Sequence, residues 1–393
     1  MKKIAIVMTS MRTGGIQSAL YNLISEISKL KIFKIDLILF NPGIELNALN
    51  VLRKKSNILS AGELFKIIPI TQKECFKKNI LLGVIRLFLG GICKIFGHGI
   101  VYQLLSFFTH KIGNYDVAIA FAQSAEYHSL YGGCNEYVLK NIVARKKISF
   151  IHCDYLMANI VSEYNHNMYK KFDAIAAVSQ GVKERFLKCE PDLQEKVFIV
   201  HNCINIDNIK ELSLSKINDF CGVQGGINFL TVSRPSLEKG HVRILPALQK
   251  AKQRGIKFCW HIVGGNQEDF DNGFIKKIKE MDLVNNIVFY GNKINPYPYF
   301  KKCSFLIVPS LHEAAPMVFF EAAVLKLPVF ATKTLSTTEM IEQTGIGIVC
   351  NNNDKDLNET LLNILSGEIE FNCNVEAKIS NNKAIDEFLK VIN

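Results

Sequence analysis

The sequence predicts an α/β protein made of two doubly wound domains. Three observations lead to this fold class. Short apolar segments alternate with amphipathic helical segments almost throughout the chain, which is typical of a parallel sheet covered by helices on both faces. The chain has 393 residues, more than the roughly 100–200 of one ordinary domain. The alternation also begins a second time after a polar stretch in the middle of the chain.

Each half contributes its own predicted strands and helices. In the first half, strands are predicted at residues 3–8, 35–40, 117–121, 148–152, 174–178 and 197–200, with helices at 16–30 and 181–187. In the second half, strands are predicted at 228–232, 257–263, 287–290, 305–308 and 328–331, with helices at 243–254, 273–281 and 317–325.

These segments predict the domain boundaries. We expect a Rossmann-like domain at residues 1–204, a polar linker at 205–226, a second Rossmann-like domain at 227–375, and a terminal helix at 376–393 that could pack back on the first domain. Ligands of such sheets bind outside the carboxyl ends of the strands, so we expect the functional site in a cleft between the two domains.

Composition narrows the function classes. Forty-seven Lys and Arg against thirty-six Asp and Glu give a net charge of +11, which suggests a nucleic acid, a membrane surface or a phosphorylated ligand as partner. Nearly half of the residues are hydrophobic, which excludes a disordered chain. The eleven cysteines form no C-x-x-C pair, which excludes a zinc ribbon and a thioredoxin-type motif and is typical of a reduced, cytoplasmic protein.

No export or membrane-spanning segment is predicted. The first apolar run is too short for a signal peptide and leads directly to Gly14. The most apolar stretch, residues 80–108, contains Arg86, Lys94, His98 and five glycines, whereas a spanning helix needs about twenty largely uncharged residues.

Glycines and cations follow the first predicted strand of each half. Gly14 and Gly15 stand before a helix, where a backbone without side chains and a helix N-terminus favour an anion. Arg234 and Lys239 follow the first strand of the second half and suit a diphosphate. The alternatives are an ordinary glycine turn and a solvated basic loop.

Carboxylates and a histidine occupy comparable places. Glu313 lies in the loop after the strand at 305–308, and Glu321 lies inside an otherwise apolar helix, where a carboxylate needs partners such as sugar hydroxyls. His152 ends an apolar strand, with Asp154 and Tyr155 in the loop that follows. The alternatives are a helix-start glutamate, a salt-bridged glutamate and a hydrogen-bonded structural histidine.

Asp269 and Asp271 form a D-x-D string of a kind that holds a divalent metal in another sugar-transferase architecture. Here they lie in a polar stretch that opens a helix, where the helix dipole alone favours acidic residues. We therefore predict no metal ligands and no essential metal.

Together these residues resemble the retaining GT-B glycosyltransferases of family four, the glycosyl transferases group 1. The spacing of Glu313 and Glu321, with seven residues between them, is that family's signature. Further matching segments are 234–240, 260–265, 321–322, 328–331 and 345–349 in the second half, and 14–15, 20–23, 177–179 and 200–202 in the first.

The resemblance implies a role for each matching residue. Arg234 and Lys239 would bind the diphosphate of a nucleotide-sugar donor, Glu321 the ribose hydroxyls, and Glu313 hydroxyls of the transferred sugar. The donor phosphate would accept the proton of the acceptor on the same face of the sugar, so the anomeric configuration would be retained. The donor is then a substrate, and no cofactor is implied.

The first half would contribute Gly15, which lets the backbone approach the donor, and His152, which lies near the anomeric carbon in some members. The implied catalytic residues are His152, Arg234, Lys239 and Glu313. The implied donor-binding residues are Gly14, Gly15, Arg234, Lys239, Gly264, Asn292, Lys293, Glu313, Ala315, Pro316, Met317, Val318 and Glu321.

Some segments depart from the family pattern. Cys203, Asn205 and Leu327 replace commoner Gly, Asp and Gly residues, and the pair Ala314-Ala315 replaces a Gly-bulky pair, which leaves the sugar undefined.

Residues 50–115 match nothing in the family pattern, and in the family this region tends to face the acceptor. Residues 80–111 are either an interfacial surface, with Lys77, Lys78, Arg86 and Lys94 on an anionic membrane, or two buried helices with snorkelling lysines. In the interfacial case we expect a lipid-linked saccharide acceptor and a peripheral protein on the inner membrane face.

Other functions remain as alternatives. A nucleotide-sugar epimerase of the same fold would need no acceptor, and a non-catalytic membrane-associated subunit would tolerate loss of Glu321. A nucleic-acid-binding protein would need a basic stripe with stacking aromatics or a known module, and the sequence has neither. The resemblance thus implies an enzyme of surface-polysaccharide synthesis, such as that of capsule, exopolysaccharide or O-antigen, which transfers a hexose or related sugar.

Overall fold

Each of the two units of the chain is built on one parallel sheet. The computed structural model describes residues 1–12, 14–41, 46–371 and 379–393. The first unit comprises Met1–Cys203 and Asn381–Asn393, and the second comprises Ile204–Ser380.

The sheet of the first unit has seven strands. They are β1 (Lys2–Met8), β2 (Phe33–Leu39), β3 (Asn57–Ser60), β4 (Ile112–Ala120), β5 (Ile142–Ile151), β6 (Ala174–Ala177) and β7 (Val197–Ile199). Their order is β3-β2-β1-β4-β5-β6-β7, and every pair is parallel. The central strand β1 is buried from Ile4 to Met8, because helices cover both faces of the sheet.

The helices of the first unit follow the predicted alternation and add several that were not predicted. They are α1 (Gly15–Lys29), α2 (Leu46–Arg53), α3 (Gln72–Lys78), α4 (Ile80–Phe96), α5 (His98–Phe107), α6 (Cys134–Asn141), α7 (Glu163–Tyr169) and α8 (Gln180–Cys189). Within the described ranges, no helix is long and apolar enough to cross a membrane.

The sheet of the second unit has six parallel strands. They are β8 (Ile227–Val232), β9 (Phe258–Val263), β10 (Ile287–Phe289), β11 (Phe305–Val308), β12 (Val329–Thr332) and β13 (Gly347–Cys350). Their order is β10-β9-β8-β11-β12-β13. The strand order reverses between β8 and β11, and the carboxyl ends at such a switch point form the usual ligand crevice of a doubly wound sheet.

Seven helices and four short 3₁₀ turns connect these strands within the described ranges. The helices are α9 (Ile206–Leu212), α10 (Leu245–Gln253), α11 (Asn272–Glu280), α12 (Tyr297–Phe300), α13 (Met317–Val324), α14 (Thr337–Thr344) and α15 (Asp354–Leu365). The turns are Leu237–Lys239, His241–Ile244, Gln267–Asp269 and Val284–Asn286.

The last helix, α16 (Asn382–Ile392), belongs to the first unit. Glu387 accepts hydrogen bonds from the backbone N–H of His201 at 3.0 Å and pairs with its ring Nδ1 at 2.7 Å. The Lys2 ammonium donates to the carbonyl of Ile392 at 3.2 Å. The predicted boundary between residues 375 and 376 lies outside the described residues.

The predicted linker at residues 205–226 is corrected by the structure. Its first residues form α9, and Ile209 is buried in an apolar cluster of the second unit that includes Val324 and Phe320. Polar residues on the outer side of this short helix hid its period in the sequence. The segment is therefore part of the second unit and not a free connection.

Candidate functional site

The switch point of the second sheet brings two predicted loops together. The loop after β8 carries Arg234 and Lys239, and the loop after β11 carries Glu313. The backbone N–H of Leu311 donates to the carbonyl of Glu238 at 2.8 Å, which joins the two loops directly. The order of the strands thus collects three of the predicted site residues at one edge of the sheet.

Lys239 and Glu313 form an ion pair at this edge. The Lys239 Nζ lies 2.7 Å from Glu313 Oε1, and the Ser310 hydroxyl donates to the same oxygen at 2.8 Å. Both charged side chains are largely shielded from solvent, with 21% and 11% of their surface exposed. In the described part of the chain Arg234 has no ion-pair partner, and its side chain is exposed. The site therefore presents one satisfied cation–carboxylate pair beside one free guanidinium.

Two residues that the sequence analysis did not select fix these loops. The buried Arg243 donates to the carbonyl of Pro309 at 2.9 Å, to Asn352 at 2.8 Å and to Asp354 at 2.7 Å. His241 is buried and its Nε2 lies 3.1 Å from the Ser233 hydroxyl. Burial, assisted by the charge of Lys239, lowers the pKa of His241 to about 4, so its ring is neutral near pH 7.

Close approach of backbones explains two glycines at the same edge. Gly240 has φ +69°, and a Cβ there would lie 2.1 Å from the carbonyl oxygen of Pro309. Gly264, a predicted donor-binding residue, has φ +125°, and a Cβ there would lie 2.2 Å from the carbonyl oxygen of Ser233. A side chain at either position would separate the loops, so packing of the switch point alone already requires these glycines.

Glu321 lies on α13 as predicted, inside a mostly buried helix. Its Oε1 accepts a hydrogen bond from the Tyr297 hydroxyl at 3.3 Å. Burial raises the pKa of Glu321 to about 7, and the hydrogen bond from Tyr297 has a smaller, opposite effect. The carboxyl group of Glu321 therefore titrates near pH 7, and it can accept further hydrogen bonds from a ligand.

The start of α13 leaves backbone donors available. Pro316 occupies the N-cap position and supplies no side-chain cap, and the first turn contains no acidic residue. Met317 is buried, while Ala315 and Val318 pack partly against the core of the unit. Residues 315–318 therefore offer backbone N–H groups and apolar surface, and an uncapped helix start of this kind favours an anion.

In the loop after β10, the predicted donor-binding residue Lys293 is paired with another side chain of the protein. Lys293 pairs with Asp219 at 2.7 Å, and the Tyr299 hydroxyl donates to the same carboxylate at 2.7 Å. These bonds, that of Lys293 foremost, lower the pKa of Asp219. Asn292 is exposed. Lys293 thus joins the loop to the segment before β8, and sequence spacing gave no signal for its partner Asp219.

In the first unit, His152 follows β5 and lies against two aromatic rings. Its ring centroid is 4.8 Å from that of Phe121 and 5.8 Å from that of Phe150, and its backbone N–H donates to Gln123 at 3.2 Å. Burial lowers the pKa of His152 to about 3, against a smaller opposing effect of a bond to the backbone of Phe121. Its Nε2 is buried and has no hydrogen-bond partner among the described residues. The ring is therefore neutral near pH 7 and retains an unused nitrogen.

The neighbours of His152 are engaged inside the protein. Asp154 accepts hydrogen bonds from the backbone N–H groups of Leu156 and Met157, each at 3.2 Å. The Tyr155 hydroxyl is buried and donates to Glu190 at 2.9 Å. Both side chains shape the loop that follows β5.

The glycine pair stands at the start of α1, as predicted. Gly14 is the N-cap, without a side-chain cap, and a Cβ at Gly15 would meet no atom within 4 Å. Two residues earlier, Arg12 pairs with Glu74 of α3 at 2.9 Å. The backbone bond of Thr71 and the Arg12 pair lower the pKa of Glu74 to about 2. The space beside Gly15 is open, so packing does not require a glycine at this position.

The D-x-D residues cap local structure. Asp269 accepts from the backbone N–H of Asn266 at 2.7 Å, and Asp271 accepts from that of Gly273 at 3.1 Å at the start of α11. Both carboxylates thus have the structural role that the sequence favoured.

Within the described ranges, one group of His, Asp and Glu side chains is close enough to share a metal. It comprises His166, Glu190 and Asp192 of the first unit. His166 contacts both carboxylates, and Lys170 lies 3.0 Å from Asp192. Both carboxylates therefore already have partners within the protein, and the group behaves as a network of polar side chains.

The segment that contains the switch-point residues matches the model of a known family. Residues 223–384 match the family described as glycosyl transferases group 1. An uncharacterized 41.2 kDa protein in the cps region of Klebsiella pneumoniae is 26% identical over 225 residues, which cover 56% of each chain. An N-acetylgalactosaminyltransferase of Campylobacter jejuni, named for an N-acetylgalactosamine-N,N'-diacetylbacillosaminyl-diphospho-undecaprenol acceptor, is 26% identical over 168 residues, 42% of each chain. The chain spans about half the length of these curated relatives.

Solved structures resemble the whole chain. HepE of Anabaena in complex with UDP-glucose superposes with a TM-score of 0.64 at 16% identity, covering 99% of this chain and 98% of that one. The lipopolysaccharide outer core galactosyltransferase WaaB superposes with a TM-score of 0.62 at 15% identity, covering 100% and 99%. At these identities the likeness establishes the fold. The predicted class, α/β with two Rossmann-like domains of the GT-B type, is confirmed.

Proposed function

We propose that this protein is a retaining glycosyltransferase, on the premise that residues 223–384 match the family described as glycosyl transferases group 1. It moves a hexose or related sugar from a nucleotide-sugar donor to a saccharide acceptor. The observation that carries the proposal is the ion pair of Lys239 with Glu313 beside the free Arg234, at the switch point of the second sheet. A doubly wound sheet binds its ligands at this edge.

We propose that the donor diphosphate takes the place of Glu313 as the partner of Lys239. Arg234 can then donate two parallel hydrogen bonds to phosphate oxygens, while Lys239 acts as a compact positive charge. The uncapped start of α13, with the N–H groups of Met317 and Val318, adds the partial positive charge of a helix N-terminus. Three positive groups thus support one diphosphate.

The two glutamates would bind the sugars of the donor. Glu313, released from Lys239, accepts hydrogen bonds from hydroxyls of the transferred sugar. Glu321 accepts hydrogen bonds from the ribose hydroxyls, which supply partners for a carboxylate that burial otherwise penalises. Gly264 and the loop of Asn292 and Lys293 lie on the nucleotide side.

In the transfer step the bond between the anomeric carbon and the diphosphate oxygen breaks, and a bond to the acceptor oxygen forms on the same face. The leaving phosphate accepts the acceptor's proton. Negative charge grows on the diphosphate as the bond breaks, so Arg234 and Lys239 stabilise the transition state more than the bound donor. For Gly14, Gly15 and His152, in the first unit, the roles implied by the resemblance stay predictions.

No essential metal is proposed for this reaction. The two cations and the helix start supply the positive charge that a metal would otherwise provide. Asp269 and Asp271, the D-x-D candidates, are engaged as caps.

For the acceptor we propose a lipid-linked saccharide of capsule, exopolysaccharide or O-antigen synthesis. One relative lies in a cps region, another is named for a diphospho-undecaprenol-linked acceptor, and WaaB is named for lipopolysaccharide. Such an acceptor is held at a membrane, so we propose that the protein works on the cytoplasmic side as a peripheral membrane protein.

A thermal-shift screen against nucleoside diphosphates and nucleotide sugars tests the donor site. We expect one nucleotide class to raise the melting temperature, and K239A to abolish the increase. Lys277 is an exposed lysine of the same unit on α11, and K277A should respond like the wild type.

Two results would contradict the proposal. One is the absence of stabilisation by any nucleotide, and the other is an equal response of K239A and wild type. Turnover of the donor to an epimer without acceptor would favour an epimerase of the same fold.

A further inference from the structure

We infer that α4 and α5 carry a hydrophobic surface that inserts into the interface of an anionic lipid bilayer. The inference goes beyond the transfer reaction and rests on the proposed function only in that a lipid-linked acceptor is found at a bilayer. Among the described residues, 13 of 27 exposed large hydrophobic side chains fall between residues 76 and 108. Monomeric soluble proteins rarely expose so much contiguous apolar surface without a partner.

The exposed side of α4 is apolar except for Lys94 near its end. Its exposed residues recur with helical spacing and include Ile80, Val84, Leu87, Phe88, Gly91 and Ile95. The opposite side holds Leu89 and Cys93, which are buried in the first unit. The helix is therefore hydrophobic on both sides, and the structure covers only one of them. Such helices belong in a core or in lipid.

The exposed side of α5 repeats the pattern. Ile100, Leu104 and Phe107 follow a spacing of four and three residues, and Phe107 is 83% exposed. The ring of Phe108 stands edge-on to that of Phe107 with centroids 5.2 Å apart. Val101, Tyr102, Leu105 and Ser106, between these positions, are buried, whereas Gln103 is exposed. Two consecutive helices thus each expose an apolar side, which we call the α4–α5 apolar surface.

The surface is fixed to the first unit by its buried side. Arg86 donates to the carbonyls of Ile70 at 3.1 Å and Leu130 at 3.2 Å. Gln72 of α3 donates to the carbonyl of Gly83 at 2.8 Å. The exposed residues therefore stand on anchored helices. Arg86 is half-buried and bonds to the protein, so we do not count it among the side chains proposed to contact the membrane.

The positive charge around the α4–α5 apolar surface indicates that its partner is an anionic bilayer. Residues 71–111 contain six Lys and Arg and one acidic residue, Glu74, a net charge of +5 out of +11 for the whole chain. Lys77 and Lys78 precede α4, Lys94 lies near its end, and all three are exposed. Lysines at helix ends reach the headgroups while the apolar side enters the acyl boundary. A second copy of this chain would instead bring like charges together.

The length of α4 is consistent with an interfacial position. Its 17 residues extend about 26 Å at 1.5 Å per residue. The described helices do not span a membrane, and an amphipathic helix of this size lies in the plane of the interface. Anionic lipid attracts the lysines, and burial of the apolar side chains adds hydrophobic stabilisation.

Vesicle flotation without donor or acceptor tests the inference. The wild type should float with vesicles of phosphatidylcholine and phosphatidylglycerol and bind less to phosphatidylcholine alone. The double variant L87E/F107E should bind at least about tenfold more weakly, because it places two charges where two side chains enter the interface. The matched control is L214E, since Leu214 is 73% exposed in the second unit.

A fluorescent variant reports insertion directly. The chain has a single tryptophan, Trp260, which is buried in the second unit and gives a constant background. In F88W the emission should shift to the blue on anionic vesicles. Equal flotation of L87E/F107E and wild type, or F88W emission that does not change, would overturn insertion.

A different occupant would give a different result. Dimers of the wild type that L87E/F107E converts to monomers, with no vesicle binding, would identify a second copy and refute the bilayer. The thermal-shift screen with nucleotides contains no lipid, and the flotation assay contains no donor. A failure of the proposed donor site can therefore be distinguished from a failure of the membrane surface.

Discussion

The carboxyl group of Glu321 makes the stability of this protein depend on pH, and one substitution tests this. Burial raises the pKa of Glu321 from 4.5 to about 7. An acid with a raised folded-state pKa keeps its proton more tightly in the folded chain than in the unfolded chain. Its contribution to stability is therefore present at low pH and is lost as the pH rises from about 4.5 to about 7.

The size of the effect follows from the two pKa values. They differ by about 2.5, which corresponds to about 3 kcal/mol of unfolding free energy. About 2.5 kcal/mol of this is lost between about pH 5 and about pH 8. E321Q removes the ionisation and keeps an oxygen that can accept the hydrogen bond from Tyr297. We therefore expect E321Q to gain stability over the wild type as the pH rises.

Urea unfolding at several pH values measures this difference. The free energy of unfolding of E321Q minus that of the wild type should rise by about 2.5 kcal/mol across this range. Glu359 is exposed on α15, and E359Q should follow the wild type closely. Parallel curves for E321Q and wild type would refute the raised pKa.

The pH dependence of donor binding offers a second test of the raised pKa of Glu321. In the proposed donor complex the ribose hydroxyls donate to the ionised carboxylate, so binding should favour the charged form of Glu321. The affinity of the wild type for its nucleoside diphosphate should rise with pH through about 7, and E321Q should lose this dependence. A dependence that persists in E321Q would assign it to another group.

Three further outcomes are expected. K239A should lower the kcat/KM of transfer by roughly 100-fold or more, because it removes a cation from the leaving diphosphate and leaves Glu313 unpaired, and steady-state kinetics with K277A as control measure this. G264A should cost at least about 1–3 kcal/mol in urea unfolding, because its Cβ would overlap a backbone oxygen at positive φ; an unchanged midpoint would contradict the close packing. Transfer should persist in excess EDTA, because Asp269 and Asp271 are engaged as caps, and loss of activity restored by Mg²⁺ would refute the metal-free proposal.

The fold could be predicted where burial left a clear pattern. The strand β11 has the predicted bounds because all four of its residues are buried and a serine and a proline flank it. The edge strand β3 was missed because its four residues are half-buried or exposed. The first half of β5 was missed because Arg145 and Lys146 interrupt its apolar pattern. Exposed stretches of a sheet take their structure from pairing with neighbours, which sequence periodicity does not record.

Most residues of the candidate site could be selected from the sequence, but their hydrogen-bond and ion-pair partners could not. Lys239 and Glu313 were both selected, yet their ion pair depends on β8 and β11 being neighbours across 74 residues. Arg243 and His241 were missed because their neighbours in sequence suggest an ordinary helix start. Their roles depend on the loop after β11, which only the tertiary structure brings into contact.

The ion pair of Lys239 with Glu313 has a consequence for how fast a donor arrives. Before binding, the lysine charge is cancelled at 2.7 Å, so a distant diphosphate is attracted mainly by Arg234 and the helix start. Electrostatic steering grows with the uncompensated charge of a site. The association rate of the nucleotide should therefore respond weakly to salt, whereas E313Q, which frees the lysine, should bind faster at low ionic strength. On the proposed function, the carboxylate that binds the sugar in the donor complex therefore also weakens the attraction of the free site for distant anions.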